Sequence, residues 1–342
     1  MTKTKRQWLR GLPKAELHLH LEGTVTPETL VVLSQRHDST PLTLEEARAL
    51  YEYKDFVHFL DTFKLVLDRL LTPKDYALIT REMMRHLHAQ GVVHAEVYMS
   101  WGNILHWKAP LQVEDVMAAV EDARIEVERE LGGPSVYWIA DASRQWGAEE
   151  AGRVFQLAGS LRHRFPNIVG IGIGGDEVGG PIEWFRDLYL EAKKAGLRLT
   201  AHAGEATGSV QGPLEMRSAL SMGVERIGHG LAAQYDDDLM DILAKQQVPL
   251  EINVTSNIRT GCCPSVEAHP LPKFLEKGML CTVNSDDPTM FGADCLDDYV
   301  LISDAFGLSL DKMRELARNS FSASFLPEDK AKRWISALDA YR

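Results

Sequence analysis

Two hydrophobic patterns alternate along the chain. Short apolar runs, typical of buried strands, are separated by longer stretches in which apolar residues recur every three or four positions, as they do on one face of a helix. The runs that predict strands are Ala15–His20, Val92–Met99, Ser135–Ala140, Ile168–Ile173, Leu197–Ala203, Arg226–His229, Val248–Val254 and Met279–Asn284. Helical spacing is found, for example, in Lys74–Ala89, Val113–Leu131, Ala148–Arg164, Ile182–Ala195, Asp236–Lys245 and Pro270–Lys277. This alternation indicates an α/β fold with a parallel sheet.

The number of predicted strands favours one architecture. Eight strands alternating with helices indicate a closed (β/α)8 TIM barrel, while an open doubly wound sheet is disfavoured because no G-x-G-x-x-G run follows a strand at the head of a helix. No linker or repeat divides the chain, so we expect a single domain over residues 1–342, with the barrel at about 12–330. The segment Thr40–Leu71 is too long for a simple connection and carries several aromatic residues, which predicts a helical insertion after the first strand. These aromatic residues either pack in the core or form a lid over the site.

Composition and charge narrow the class of partner. The 342 residues include 37 basic and 49 acidic ones, a net charge of -12, which argues against nucleic acid and anionic membranes as partners. The longest apolar runs fall short of the ~18 residues that span a bilayer, and no signal peptide is evident. The four cysteines form no C-x-x-C pair and are expected to be reduced thiols. We therefore expect a soluble, cytoplasmic protein that acts on a small molecule.

Polar residues follow four of the predicted strands, where the active site of such a barrel lies. They are His18 and His20 after the first strand, His202 and Glu205 after the fifth, His229 after the sixth, and Asp286 and Asp287 after the eighth. His18 and His20 are two residues apart, so they point to the same side of their strand. Imidazole nitrogens with a carboxylate suit Zn²⁺ or a similar ion, which lowers the pKa of bound water to about 7. Glu205 is placed to act as general acid and base, although Glu205 as an exposed loop acid and Asp287 as a simple turn residue are the alternatives.

The fourth predicted strand bears on the number of metal ions. Two-metal barrel hydrolases usually bridge their ions with a lysine from this strand, but here the strand is followed by Gly174-Gly175-Asp176-Glu177, without a lysine. A single-metal site is therefore expected. A metal-dependent phosphoesterase, which would normally hold more metals and more basic residues, and a non-catalytic scaffold barrel, which would be expected to have lost a ligand or the acid, are the rival classes.

Six runs along the chain resemble the adenosine deaminase family, in that family's order and over about residues 12–330. They are Glu16–Gly23, Gly174–Glu177, His202–Glu205, Ile227–Gly230, Thr255–Asn257 and Asn284–Pro288. The resemblance implies a (β/α)8 barrel with one zinc ion. It also implies hydrolytic deamination of a 6-aminopurine nucleoside to the 6-oxopurine nucleoside, with release of ammonia.

The resemblance assigns a role to each of these residues. The zinc ligands it implies are His18, His20, His202 and Asp286, and the catalytic residues are Glu205, His229 and Asp286. Glu205 would protonate purine N1, while His229 and Asp286 would orient the attacking water. The substrate contacts it implies are His20, Glu22, Phe59, Phe63, Gly175 and Asp287. Among these, Asp287 would bond to N7, the Gly175 N–H would donate to N3, and the two phenylalanines would form an apolar wall over the ribose.

One departure bears on the substrate. Animal-type enzymes of the family have Asp at the position of Glu22, whereas adenine deaminases and the 6-aminodeoxyfutalosine deaminases of menaquinone biosynthesis have Glu. The stretch Glu251–Gly261 looks more like the nucleoside branch. Arg259 or Arg144 could meet an anionic group on a substituted ribose, with a plain surface position as the alternative for both. The identity of the 6-aminopurine is left open by the sequence.

Overall fold

A computed structural model of the chain describes residues 4–53, 56–108 and 110–342, with the side chains of residues 56–60 excepted. Eight parallel strands form one sheet, in which each strand pairs with its neighbours in sequence order. The strands β1 to β8 are Lys14–His20, Val92–Met99, Ser135–Ser143, Ile168–Gly174, Arg198–Ala203, Arg226–His229, Leu250–Ile252 and Cys281–Val283. A bridge between Leu19 and Asp286 joins the last strand region to the first. The predicted (β/α)8 barrel is confirmed.

All eight predicted strands are present, but the last two are shorter than predicted. Val248–Val254 was expected to be strand throughout, yet only Leu250–Ile252 is. Val254 instead begins a short helix that Asn253 precedes. The chain therefore turns away from the barrel immediately after β7, which brings the polar side chains of this helix to the strand ends.

Helices surround the barrel. The α-helices α1 to α17 are Lys5–Gly11, Pro27–His37, Leu44–Leu50, Phe56–Leu67, Pro73–Ala89, Trp101–Trp107, Val113–Leu131, Gly147–Leu161, Arg186–Lys194, Gly208–Ser221, Asp237–Gln246, Val254–Arg259, Leu271–Glu276, Pro288–Phe291, Cys295–Ala305, Leu310–Ala323 and Glu328–Ala340. The six predicted helices agree to within a few residues, except that the first turn of the predicted Ile182–Ala195 is a 3-10 helix, Ile182–Phe185. No helix of the described residues is long and apolar enough to cross a membrane.

The helical insertion predicted over Thr40–Leu71 is confirmed as α3 and α4, which follow β1 and the separate helix α2. The Tyr51 hydroxyl donates to the carbonyl of Val25 at 2.6 Å, and the Tyr53 hydroxyl lies 3.2 Å from the sulfur of Met290 in α14. Phe63 is half-buried and packs against the core. The insertion is thus anchored beside the residues that follow β8.

At the amino-terminal end of the barrel interior, a buried arginine forms ion pairs with two buried glutamates. Arg226, at the start of β6, donates from Nε to Glu251 at 2.6 Å, and from Nη1 to Glu96 and to the carbonyl of Ala323. The ring of Phe325 covers the guanidinium, with 3.8 Å between its centroid and the guanidinium carbon. We call Glu96, Arg226 and Glu251 the barrel triad. Because the charges of the triad are buried, the folded state is strongly destabilised if any one of them loses its partner.

Candidate active site

The predicted metal ligands meet at the carboxyl ends of the strands. Alternation along β1 directs His18 and His20 inward, where His20 Nε2 lies 3.2 Å from Asp286 Oδ1 and 3.3 Å from His202 Nε2. His18 Nε2 lies 3.4 Å from the same Asp286 oxygen, is buried, and has no hydrogen-bond partner. Facing nitrogen and oxygen atoms with an unpartnered buried nitrogen among them are what a bound cation needs.

The spacing of these atoms discriminates between two ligand sets. His18, His202, His229 and Asp286 each offer an atom within 4.8 Å of the others, so His229 is also geometrically close. In a tetrahedral zinc site with bonds of about 2.0–2.1 Å, however, the ligand atoms lie about 3.3 Å apart. The distances of His20 match that spacing, whereas His229 Nε2 lies 3.9 Å from Asp286 Oδ2. The residues fit one divalent ion, and this spacing supports the predicted set over the set with His229.

Further residues hold the candidate ligands in place. His18 Nδ1 donates to Glu251 at 2.7 Å, His202 Nδ1 donates to the Ile173 carbonyl at 3.0 Å, and the Ser256 hydroxyl donates to Asp286 at 2.6 Å. Such bonds fix the ring orientation and leave Nε2 free to bind metal. No motif in the sequence pointed to Glu251. Its inward position in a strand already predicted would have been the only clue.

Glycines in the strand-end motifs make room for these side chains. A Cβ at Gly228 would lie 2.8 Å from His18 Cε1, and one at Gly23 would lie 2.0 Å from Asp287 Oδ1. His229 and Asp286 themselves have φ of 62° and 65°, a left-handed conformation that is costly outside glycine. Such strain is typical of functional sites that the surrounding fold over-determines.

Glu205 is enclosed, with its side chain 16% exposed and Oε2 3.6 Å from His229 Nε2. Burial first, and then the nearby carboxylates of Asp286 and Glu177, raise the pKa of Glu205 to about 8. Glu205 therefore holds a proton at neutral pH, as a general acid must. The alternative of an exposed loop acid is wrong. Cys262, whose sulfur lies 3.9 Å from Glu205 Oε1, is one of four free cysteines, all of which lie in described parts of the chain.

The loop that carries Glu205 is held by a second acid. Glu177 Oε2 accepts the backbone N–H groups of Glu205 at 3.0 Å and Ala206 at 2.9 Å, and lies 3.3 Å from the Thr207 hydroxyl. Glu177 is 2% exposed. It belongs to a motif that the sequence analysis recognised, but its role depends on contact with a loop 28 residues away.

Two further acids have oxygen atoms without partners. Asp287 directly precedes α14, but its side chain makes no capping bond, and its buried Oδ1 has no partner. The alternative of a simple turn residue is therefore insufficient. Burial and Asp286 raise the pKa of Asp287 to about 8. Glu22 accepts the Ser100 N–H at 3.1 Å through one oxygen and leaves Oε2 unpartnered, while burial raises its pKa to about 7.

The remaining predicted contacts lie around this centre. Gly175 follows β4 with φ of 92°, and a Cβ there would lie 2.3 Å from Gln145 Oε1, so the position requires glycine. Phe63 lies in the insertion, and the side chain of Phe59 lies outside the described residues. Asp141, near the end of β3, was not predicted from the sequence; it is buried and has an unpartnered Oδ1.

The two arginines suggested for an anionic group differ. Arg144 is fully buried and donates to Glu215 and to the carbonyls of Gly180 and His202. The surface position considered for Arg144 is therefore wrong, and its Nη1 and Nη2 atoms are occupied by these protein acceptors. Arg259 is exposed, and its Nη2 lies 3.9 Å from the position of a Cβ built on Gly292, directly after α14.

Comparison with known proteins gives consistent matches. The family described as adenosine deaminase matches residues 13–341. The aminodeoxyfutalosine deaminase of Streptomyces avermitilis is 37% identical over 337 residues, which cover 98% of this chain and 92% of the relative. The adenine deaminase of Streptomyces coelicolor is 38% identical over 340 residues, which cover 98% and 97%.

Solved structures agree with these sequence matches. The adenine deaminase of Arthrobacter aurescens gives a TM-score of 0.87 at 32% identity, over 96% of this chain and 98% of that one. An amidohydrolase from Burkholderia ambifaria with bound zinc gives a TM-score of 0.90 at 25% identity, over 99% and 93%.

Proposed function

Because the chain belongs to the adenosine deaminase family, we propose that it uses one zinc ion to hydrolyse the 6-amino group from a purine nucleoside, releasing ammonia and the 6-oxopurine nucleoside. Members of the family are hydrolases that act on C–N bonds in cyclic amidines, and this chain is a deaminase of adenine-type substrates. The observation that carries the finer proposal is the enclosed Glu205 carboxyl, which faces His229 Nε2 at 3.6 Å beside residues that fit a divalent ion, a setting that raises its pKa to about 8.

The proposal assigns each step to a residue of this site. An ion held by His18, His20, His202 and Asp286 would supply an acidified water at neutral pH. Glu205 donates its proton to purine N1, which makes C6 electrophilic, while His229 orients the attacking oxygen. Water adds to C6, the C6–N6 bond breaks, and the amine leaves as ammonia after protonation within the site.

The acids with unpartnered atoms suit a purine ring. Burial and the neighbouring Asp286 raise the pKa of Asp287 to about 8, so Asp287 would donate a proton to N7. The Gly175 N–H donates to N3, and Phe63 of the insertion covers the sugar side. Glu22, with its unpartnered Oε2, is left to receive a sugar hydroxyl.

A substituted nucleoside is the second candidate substrate. Arg259 makes no hydrogen bond or ion pair with any described residue. It lies at the edge of the candidate active site, beside α14, the helix that follows Asp287. An unpaired guanidinium there favours a substrate with an anionic group on its sugar. Aminodeoxyfutalosine, the substrate in the name of the Streptomyces avermitilis relative, is the candidate of this kind, and free adenine is the third.

Ammonia release by zinc-loaded protein tests the proposal with adenosine, 2′-deoxyadenosine, adenine and 6-aminodeoxyfutalosine in parallel. Glu205→Gln should be inactive yet retain zinc, which separates the acid from the ligands. Arg259→Ala should raise KM only for an anionic substrate. Release from none of the four compounds, or a Glu205→Gln variant as active as the wild type, would overturn the proposal.

A further inference from the structure

A chain of hydrogen bonds runs from a backbone N–H to His229. The N–H of Leu271 donates to His269 Nδ1 at 3.1 Å, and His269 Nε2 lies 3.2 Å from Asn257 Oδ1. Asn257 Nδ2 lies 2.8 Å from His229 Nδ1. We call these residues the tautomer relay. All of its side chains are buried, so water does not compete for their bonds.

The direction of every bond in the relay follows from its first member. A backbone N–H can only donate, so His269 Nδ1 must accept, and the proton of the neutral ring must sit on Nε2. His269 Nε2–H then donates to Asn257, whose oxygen must face it. The Asn257 amide group consequently turns its N–H toward His229 Nδ1, which must accept.

A second amide imposes the same result independently. Asn253 Nδ2 lies 3.2 Å from the carbonyl oxygen of Glu251 and 3.3 Å from His229 Nδ1. A carbonyl only accepts, so this nitrogen is a donor as well. Two donors at His229 Nδ1 leave no place for a proton there, and the proton of His229 must therefore sit on Nε2.

His229 Nε2 faces the reacting region. It lies 3.6 Å from Glu205 Oε2 and 3.9 Å from Asp286 Oδ2. We propose that Asn257 and His269 are positioning residues that hold His229 as an Nε2–H donor, so that His229 donates to the oxygen that attacks C6 and does not remove its proton. The inference rests on the proposed function for the identity of that oxygen. It leaves Asp286, and Glu205 once it has given its proton to N1, as the proton acceptors of the site.

Three variants of the full chain test the relay. Asn257→Asp replaces the donor with an acceptor, so His229 must move its proton to Nδ1, and kcat should fall by about 10²- to 10⁴-fold, as wrong tautomers do in other enzymes. KM should change by only a few-fold, since the ring contacts remain. His269→Ala should lower kcat by about 10- to 100-fold. His269→Gln, whose amide can accept from Leu271 and donate to Asn257, should retain most of the activity.

The matched control is Asn319→Asp. Asn319 donates its amide to the Cys281 carbonyl at 3.1 Å, at the start of β8 and away from the site. This variant introduces the same charge and loses the same kind of donor. It should lower the melting temperature without lowering kcat.

Nitrogen NMR of histidine-labelled wild-type protein decides the point without any substrate. His229 should show a protonated Nε2 and an unprotonated Nδ1, exchanged in Asn257→Asp. A wild-type His229 protonated at Nδ1, or an Asn257→Asp variant with wild-type kcat, would overturn the relay. If the wild type releases ammonia from no purine but shows the expected tautomer, the proposed function fails and the relay stands.

Discussion

Glu251 connects a candidate metal ligand to the barrel triad, and its removal should affect both. It accepts from His18 at 2.7 Å, from Arg226 at 2.6 Å and from the Tyr98 hydroxyl at 3.0 Å, all buried. Burial alone would raise the pKa of Glu251, but Arg226 and His18 lower it to about 2. Glu251→Gln keeps the volume and removes the charge that both partners face.

The expected losses follow from these contacts. A hydrogen bond to a charged group contributes about 1.5–3 kcal/mol, and the Arg226 cation keeps Glu96 as its remaining partner. We therefore expect Glu251→Gln to lower the free energy of unfolding by about 2–4 kcal/mol. Losing the bond that orients His18 should weaken zinc binding about 10- to 100-fold, which corresponds to about 1.4–2.7 kcal/mol.

Glu96→Gln is the matched comparison, because it removes the other carboxylate from Arg226 without touching His18. Urea unfolding of zinc-free protein should show a loss of similar size in both variants. Competition with a chromogenic chelator should show weaker zinc binding only in Glu251→Gln. Equal zinc affinities in the two variants would refute the argument that Glu251 orients His18.

Three further changes probe other parts of the molecule. Gly228→Ala places a Cβ 2.8 Å from His18 Cε1, so it should cost about 1–3 kcal/mol of stability and reduce the zinc retained after dialysis. Glu177→Ala should lower kcat about 10- to 100-fold by freeing the loop of Glu205, whereas Glu177→Gln should preserve it, since one oxygen accepts both N–H bonds. Burial raises the pKa of Asp298 to about 8, whereas the pKa of an aspartate in the unfolded chain is about 3.9. The protonated carboxyl therefore contributes fully to the stability of the folded state below about pH 4, and this contribution is lost as the pH rises to 8. The melting temperature of Asp298→Asn should therefore fall less than that of the wild type as the pH is raised from about 5 to 8.

For each of these three predictions, one experimental result would contradict the reasoning. Full zinc content in Gly228→Ala would mean that the strand shifts to accept the methyl group. Wild-type kcat in Glu177→Ala would mean that the loop is held without Glu177. If the melting temperatures of the wild type and Asp298→Asn changed in parallel across this pH range, the carboxyl of Asp298 would not be the group that titrates.

Residues at strand ends were predictable because chain order alone brings the ends of parallel strands to one face. His18, His20, His202, Glu205 and Asp286 could be named this way, and the structure brings them together. Their roles stay predictions.

Residues whose roles depend on contacts across the barrel could not be predicted. Glu251 and Asp141 lie inside strands that were found, but which residue each meets depends on how the sheet closes. Arg144 was considered a surface residue because lone charges are seldom buried; its partner Glu215 lies 71 residues away. Helix α10 was not among the helical stretches named from the sequence, and Gly212 and Pro213 lie inside it.

The segment that closes the barrel triad has a consequence during synthesis. Arg226 donates to the carbonyl of Ala323, and the N–H of Phe325 donates to Glu96, so these two bonds to the barrel triad form only after residue 325 has been translated. A nascent chain at the ribosome, or a product truncated before this segment, leaves those charges exposed to water at the open end of the barrel. Because Glu251 links the same charges to His18, the ion would be captured late, by a chain that is nearly finished. Incomplete chains would therefore compete poorly for zinc.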